Sequence, residues 1–401
     1  MGKNYTHTLY ASYIGYVTQA IVNNFAPLLF LTFQKTFAIT LDKIALLVSI
    51  NFMIQLLVDL LSARFMDRMN VRVAIVAAHA FAAAGLVGLA VLPQLLPSAF
   101  AGLLLATCIY AIGGGITEVL ISPIVEACPT NNKEGHMSLL HSFYCIGQVL
   151  VIVLSTVFFV TVGIDQWMWL ACLWALVPFA NMFYYSRVPL AKLIEEDERI
   201  APRQILKQRT VWFLLFLMLC AGASEQSMSQ WASAFAEQGL GVSKAIGDLA
   251  GPCAFAVLMG TARAVYAKFS LRINLRKFMI ASGILCVAAY LLATLAGNPV
   301  LGLIGCALTG FSVGIMWPGT FSIAAKKCRG GGMVLFALLA LAGDLGCAAG
   351  PAFVGVISEA AGENLKIGIL FAIIFPIVLV ALLLFGRSIR NDKVLKMGSQ
   401  V

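Results

Sequence analysis

Three acidic residues stand in long apolar stretches of the sequence. Glu118 lies in GGGITEVLISP (113–123), Glu225 in GASEQSMSQWASAFAE (222–237) and Asp344 in LAGDLGC (341–347). A charged carboxylate at the centre of a bilayer costs about 2.5–3.5 kcal/mol, and a carboxyl group removed from water favours its neutral form. We therefore predict proton-exchanging groups at these positions. The alternative for Glu118 is a hydrogen bond to a neighbouring helix that only fixes packing.

A histidine in another apolar stretch is a fourth candidate for proton coupling. His141, Cys145 and Gln148 follow one another at spacings of four and three, which places them on one stripe of a helix. An imidazole titrates near neutral pH and can relay protons. The alternative is a hydrogen-bonded packing residue.

Amide, carboxylate and indole groups recur near these acids and predict a binding site for hydroxyl groups. Glu225 and Ser229 share a helix face, and two glutamines lie on the adjoining strip. Uncharged amides suit neutral, hydroxyl-rich ligands, and tryptophan supplies a flat apolar face for a sugar ring. The predicted solute-binding residues are Asn23, Asn24, Glu118, His141, Gln148, Glu225, Gln226, Gln230, Trp231 and Trp317.

The elements that carry these residues are membrane helices. Of 401 residues 61% are hydrophobic and 11% charged, with a mean hydropathy of +0.92, whereas soluble chains are about 25% charged. About twelve stretches are long enough to span a bilayer. We predict an all-α integral membrane protein whose partners are the bilayer and a small solute, and we expect a monomer.

The basic residues report topology. Most of the 27 Lys and Arg residues fall in the segments of one side, and the other side holds only Lys35, Lys43, Lys244 and Lys366. The positive-inside rule then places both termini in the cytoplasm and the chain in the cell membrane. The net charge of +9 is thereby explained without a nucleic-acid partner.

No cofactor is expected apart from a coupling proton or sodium ion. The ten cysteines are scattered singly, without CxxC pairs, so we expect neither disulfides nor a metal site. The sequence has no GxxxxGK[ST] motif for a nucleotide. HExxH is absent, and GxSxG occurs as GFSVG (310–314) inside an apolar stretch and not in the strand-to-helix turn that a hydrolase needs. This argues against a membrane enzyme, and no sensory domain is left over for a signalling protein.

The chain divides into two similar halves. The polar segment 187–209 separates the predicted bundles 1–186 and 210–401, with six spans each. GHMSLLHSFYCIGQ (135–148) aligns without gaps with GGMVLFALLALAGD (331–344), and SARFMDRMNVR (62–72) is similar to TARAVYAKFSLR (261–272). Such a repeat predicts two pseudo-symmetric six-helix bundles with a solute site between them at mid-membrane.

One loop motif resembles the major facilitator superfamily. ARFMDRMNVR (63–72) is similar to that family's G-x-x-x-D-R-x-G-R-K/R, with Ala63 and Asn70 in place of glycines. The resemblance implies the major facilitator fold and a cytoplasmic gate at Asp67, Arg68 and Arg72. The polar stripe Asn51, Gln55 and Asp59 leads toward that loop, so we add Asp59 as a candidate gate residue; the alternative is an acid that reaches the inner edge of the membrane.

Two further stretches resemble the fucose-permease branch of sugar symporters. Gly115, Glu118, Ser122 and Pro123 fit G-x-x-E-x-x-x-N-P with Ser for Asn, and MWPGTFSIAAKKCRG (316–330) is similar to the branch's tenth span. The first span departs from the branch, because Asn23 and Asn24 stand where it has an aspartate. The resemblance implies proton-coupled sugar symport.

The leading interpretation is a secondary transporter of a small polar solute, a sugar by the resemblance, and not an enzyme. Proton-driven efflux of amphipathic compounds is the alternative, although the antiporter signature G-x-x-x-G-P is absent from the fifth stretch. Two details stay open. Arg263 can pair with Asp344 as a structural lock or leave it free to titrate, and Asp248 is expected to be solvated.

Overall fold

The architecture comes from a computed structural model that describes residues 5–65, 70–130, 133–191, 206–269, 274–327 and 332–385. Within these ranges twelve helical segments are long and apolar enough to cross a membrane, as predicted. Spans one to twelve are Thr6–Phe37, Leu41–Leu61, Val71–Leu95, Ala99–Ala127, Leu139–Thr161, Ile164–Arg187, Arg209–Ser229, Lys244–Tyr266, Leu275–Leu295, Pro299–Ala324, Leu338–Ala360 and Leu365–Phe385.

The helices themselves often extend past these spans or are interrupted within them. Their bounds are Thr6–Asn24, Ala26–Leu29, Phe30–Phe37, Leu41–Phe65, Val71–Leu95, Ala99–Ala127, Lys133–Thr161, Ile164–Gln166, Trp167–Arg187, Arg209–Ser229, Ala232–Ala234, Phe235–Gly239, Lys244–Asp248, Leu249–Cys253, Ala254–Phe269, Leu275–Leu295, Pro299–Val313, Met316–Lys327, Gly332–Ala360, Leu365–Phe371 and Ile374–Phe385. Span one changes to a 3-10 turn at Ala26–Leu29, where Pro27 lacks the amide hydrogen that a helix interior needs.

The packing repeats between spans one to six, the first half, and spans seven to twelve, the second half. Span three packs on spans four and six, span two on four, and span one on five. In the second half, span nine packs on ten and twelve, span eight on ten, and span seven on eleven. The halves meet where span two lies against eleven and span five against eight. Residues 192–205 of the predicted linker lie outside the described ranges, so its bounds stay a prediction.

The even number of spans puts Tyr5 and Phe385 on one side of the bundle, which we call the terminal face. The turns near Ala38 and Gly362 lie on the other side, the opposite face. At Gly362 the backbone φ is +74°, a value that glycine adopts without strain.

Spans three and nine begin in the same way in the two halves. Asn70 caps the helix Val71–Leu95 through the amide of Arg72, and Asn274 caps Leu275–Leu295 through the amide of Lys277. An arginine follows each cap by two residues. Arg72 donates to a carbonyl at the end of span six, and Arg276 donates to a carbonyl at the end of span twelve. Arg72 therefore corresponds to Arg276 in the second half, because the caps fix where the two helices begin.

Asp248 is buried, so the expectation that it is solvated is wrong. Its side chain is 1% exposed, and Lys244 Nζ lies 3.1 Å from its Oδ2. Ser233 donates a second hydrogen bond to the carboxylate. A buried carboxylate needs such partners to offset the loss of water.

Candidate functional site

A continuous hydrogen-bonded cluster of amides surrounds Glu118 at the centre of the first half. Gln19 Nε2 donates to Glu118 Oε2 at 3.1 Å and to Gln55 Oε1 at 2.8 Å. Gln55 Nε2 donates to Asn23 Oδ1 at 3.0 Å and to Asn51 Oδ1 at 3.0 Å. Asn51 Nδ2 donates to Asn23 Oδ1 at 3.1 Å. Spans one, two and four thus share one polar network, which we call the amide cluster.

Three consecutive glycines bring those helices together. A Cβ on Gly113 would lie 2.5 Å from the backbone of span three, one on Gly114 3.1 Å from Gln19 of span one, and one on Gly115 2.9 Å from Val58 of span two. Larger residues would push these helices apart. The glycines therefore set the distance at which Gln19 reaches Glu118.

The second half places its own polar groups against this cluster. Gln230 Nε2 donates to the carbonyl of Asn23 at 3.1 Å and to Gln226 Oε1 at 2.9 Å. Gln226 Nε2 lies 3.3 Å from Glu225 Oε1, whereas Glu225 Oε2 is buried without a partner. Gln148 of span five reaches Ser229 of span seven at 3.5 Å. Predicted residues from both halves thus meet at the boundary between them.

His141 lines an accessible space between the halves. Its side chain is exposed although spans one and eight flank it. Its ring packs edge-on against Tyr16 of span one, with 5.4 Å between the ring centres. Arg263 of span eight lies within electrostatic reach of it. Tyr16 also bonds Ser122 at 3.0 Å, the serine that replaces asparagine in the fourth-span motif.

Sequence reasoning missed Gln19, Tyr16 and Tyr144 as parts of the site. Tyr144 Oη lies 3.4 Å from Asn24 Nδ2. Tyr16, Gln19 and Asn23 follow one another at spacings of three and four, and that spacing was the available signal for a shared face.

The two predicted tryptophans have different positions. Trp231 is fully buried, donates its indole N–H to the Pro351 carbonyl at 3.1 Å and packs against Phe30 at 5.4 Å. It therefore joins helices and offers no face to a solute in this conformation. Trp317 is only partly buried and packs beside Phe321.

Asp344 does not pair with Arg263, the partner considered in the sequence analysis, but lies close to another acid. The carboxyl groups of Asp344 of span eleven and Asp59 of span two interact across the boundary between the halves. Because two buried carboxyl groups this close cannot both carry a charge at low cost, we infer that they share a proton. The outer oxygens, Asp59 Oδ1 and Asp344 Oδ2, are buried without a partner. Asp59 is thus a candidate partner in proton exchange more than an edge residue.

Arg263 pairs with neither acid. Its guanidinium donates to the Gly314 carbonyl at 3.2 Å, to Cys145 Sγ at 3.4 Å and to Met259 Sδ at 3.7 Å. No carboxylate among the residues that the structure describes lies within ion-pair distance of it. The predicted alternative of an Arg263–Asp344 lock is therefore wrong in this conformation.

The predicted gate is described only in part. Asp67 and Arg68 lie outside the described residues. Arg72 NH1 donates to the carbonyls of Tyr185 at 2.8 Å and Ser186 at 2.9 Å. A cation at a helix C-terminus is favoured by the unpaired carbonyls there, so Arg72 ties span three to span six within the first half.

The halves are closed together at the opposite face. Lys35 pairs with Glu237 at 3.1 Å, Lys244 donates to the Leu28 carbonyl at 2.6 Å, and the Leu41 amide donates to Glu359 at 3.1 Å. Each of these bonds joins one half to the other. These bonds close the halves against each other at the opposite face in this conformation.

Twelve helices in two matching halves, with a polar site between them, define the architecture of a secondary transporter. The profile of the Major Facilitator Superfamily matches residues 12–351. Because that match covers most of the chain, the protein belongs to this superfamily of membrane transporters.

Solved structures agree on the fold. The chain is similar to a D-xylose-proton symporter, with a TM-score of 0.80, 12% identity and coverage of 96% of this chain and 97% of that one. A variant of the nucleoside transporter NupG gives 0.77 at 12% identity, covering 94% and 99%. A variant of the E. coli fucose:proton symporter FucP gives 0.65 at 15%, covering 96% and 99%. Comparison with curated protein sequences gave no match. The predicted family and fold are thus confirmed.

Proposed function

We propose that this protein is a proton-coupled symporter that imports a small, hydroxyl-bearing solute of the sugar class by alternating access. It acts as a monomer in the cell membrane with both termini in the cytoplasm, so the terminal face is the cytoplasmic one. The observation that carries the proposal is the amide cluster around Glu118, with Gln226 and Gln230 of the other half against it.

Amide groups at the boundary between the halves suit a solute with several hydroxyl groups. An amide both donates and accepts hydrogen bonds, so one set of side chains can exchange its internal bonds for bonds to a sugar. Efflux of amphipathic compounds calls for a more apolar cavity. The amides therefore support transport of a polar solute.

Glu118 is the proposed coupling group. It is partly exposed, and Gln19 is its hydrogen-bond partner among the described residues. A carboxyl group with one amide partner can lose or gain its proton when water or a solute hydroxyl enters. Glu225, His141 and the Asp59–Asp344 pair are further proposed points on the proton path.

External pH in right-side-out vesicles tests the coupling. Neutral sugars, sugar acids and amino acids are added in turn to vesicles that contain the wild type or Glu118→Gln. We expect alkalinisation with one solute class, and we expect the variant to lose uphill uptake but keep counterflow exchange. Uphill uptake by Glu118→Gln at the wild-type level would show that Glu118 does not couple protons.

Asp165→Asn is the matched control. Asp165 is an exposed acid in the turn Ile164–Gln166 before span six, so the same change from carboxylate to amide there should leave uptake unaltered. A loss of uptake in both variants would report a general effect of removing an acid and count against a specific role for Glu118.

A further inference from the structure

Arg263 carries a charge at the boundary between the halves and makes only weak contacts there. A guanidinium has five N–H donors in a planar fork, and the acceptors present are one backbone carbonyl and two sulfur atoms. Sulfur is a weak acceptor. Among the described residues no carboxylate lies at ion-pair distance from it, so its N–H donors have no direct ionic partner there.

The surroundings of Arg263 form a site shared by both halves. The guanidinium extends from span eight to Cys145 of span five. Gly260 of span eight faces the same cysteine, and a Cβ there would lie 3.8 Å from Cys145 Cβ, an ordinary contact distance. The exposed His141 lies one helical turn from Cys145. Arg263 and Glu225 of span seven lie within electrostatic reach of each other. The site is therefore accessible, positively charged and continuous with the amides of span seven.

We propose that the transported solute carries a carboxylate that binds Arg263, so that the substrate class is a hydroxylated carboxylic acid such as a sugar acid. This inference rests on the proposed function and names its substrate class. A carboxylate matches the guanidinium fork with two parallel hydrogen bonds. It would replace the two sulfur contacts, while the amides of the cluster bind the hydroxyl groups.

Glu225 gives a physical reason for proton coupling with such a solute. A carboxylate at Arg263 adds negative charge close to Glu225, whose Oε2 is buried without a partner. Like charges in a low-dielectric site favour protonation of one of them. Binding of the anion is therefore accompanied by a proton on Glu225, and one anion with one proton crosses the membrane without net charge.

The first test is the choice between matched solutes. Glucuronate and glucose differ at C6, a carboxylate against a hydroxymethyl group, as do galacturonate and galactose. In proteoliposomes we expect uptake of the acids, driven by a pH gradient and unchanged by a membrane potential of 100 mV. A neutral sugar carried with one proton would instead accumulate about 50-fold more at that potential.

The second test removes the charge. Arg263→Gln should weaken binding of the acid by about 10- to 100-fold, the range for a hydrogen bond to a charged group, as measured by calorimetry in detergent. Arg263→Lys should retain part of the affinity. Arg187→Gln, the same chemical change at an exposed arginine in the last turn of span six, is the matched control and should bind the acid as the wild type does. Thermal unfolding of each variant confirms that it is folded.

The outcomes separate the two proposals. Potential-driven uptake of glucose or galactose, with equal activity in a folded Arg263→Gln variant, would overturn the carboxylate and leave proton-coupled sugar symport standing. Acid uptake and binding that do not change in Arg263→Gln would also overturn it. Uptake of the acids that depends on Arg263 but not on a pH gradient would support the binding site and refute proton coupling.

Discussion

Lys244 is the residue whose removal should open the opposite face. Its Nζ lies 3.1 Å from Asp248 Oδ2 and 3.2 Å from Ser233 Oγ within the second half. The same nitrogen donates to the Leu28 carbonyl at 2.6 Å and lies 5.4 Å from the centre of the Phe159 ring, both in the first half. Lys244→Met keeps much of the side-chain volume and removes both bonds across the boundary.

The magnitude follows from those two contacts. A hydrogen bond from a charged group contributes about 1.5–3 kcal/mol, and a cation over an aromatic ring about 0.5–1 kcal/mol at a partly exposed site. Lys244 is 21% exposed, so we take the lower part of the combined range, about 2 kcal/mol. The equilibrium should then shift by roughly 30-fold toward the state that is open at the opposite face.

The loss of Lys244 also leaves Asp248 buried without its cation, which is destabilising in itself. The double variant Lys244→Met with Asp248→Asn separates the two effects. It removes the unpaired charge but still lacks the bonds to Leu28 and Phe159. We expect it to recover thermal stability in detergent while it remains shifted toward the open state.

Hydrogen exchange measured by mass spectrometry follows the opening. Peptides that cover 24–37 and 235–243 should exchange faster in Lys244→Met and in the double variant, with little change in peptides from span three as an internal control. If both variants are folded and the two peptides exchange at the wild-type rate, Lys244 does not hold the opposite face closed and the reasoning is refuted.

Three further predictions concern the acid pair, the glycines and the loop after span two. Asp344→Asn cannot share a proton with Asp59, so the pH dependence of uptake should flatten, and Asp59→Asn should have the same effect. The double variant should change the pH profile little beyond either single variant. Additive changes in the pH profile would argue against a shared proton. Gly113→Ala should destabilise the protein by about 1–3 kcal/mol because its methyl group would meet the backbone of span three. Gly297→Ala, with no atom within 4 Å of the built Cβ, should change stability by less than about 0.5 kcal/mol in the same thermal unfolding assay. Arg72→Gln should lower thermal stability by about 1–3 kcal/mol through loss of two charge-assisted bonds to span six, and an unchanged melting temperature would show that those bonds contribute nothing.

Composition and spacing were sufficient for the membrane class and for the twelve spans, since a helix in lipid must satisfy its own backbone and needs about 20 apolar residues. The same rule made Glu118 conspicuous, because a carboxylate is rare where nearly every neighbour is apolar. Periodicity along span seven likewise brought Glu225, Gln226 and Gln230 to attention. These predictions depend on neighbours along the chain.

Contacts between distant segments could not be predicted in this way. Arg263 was the candidate partner of Asp344, and Asp59 was considered only for the gate. That Asp344 lies near Asp59 depends on how spans two, eight and eleven are placed around the boundary between the halves. Asp248 was expected in water because its neighbours in sequence resemble a helix end, yet Lys244 and Ser233 enclose it.

The sequence by itself determined the family, the number of spans and the polar residues that a bilayer tolerates only for a reason. Tertiary structure alone decided which of those residues meet. It joined Gln19 to Glu118 and buried Trp231 between helices. It also left Arg263 without a carboxylate among the described residues. The physical reason is that the apolar length of each helix decides, one helix at a time, whether it spans the membrane. Hydrogen bonds and ion pairs between helices depend on how each helix is rotated and how far apart the helices lie. Close packing fixes those rotations and distances only when all the spans assemble.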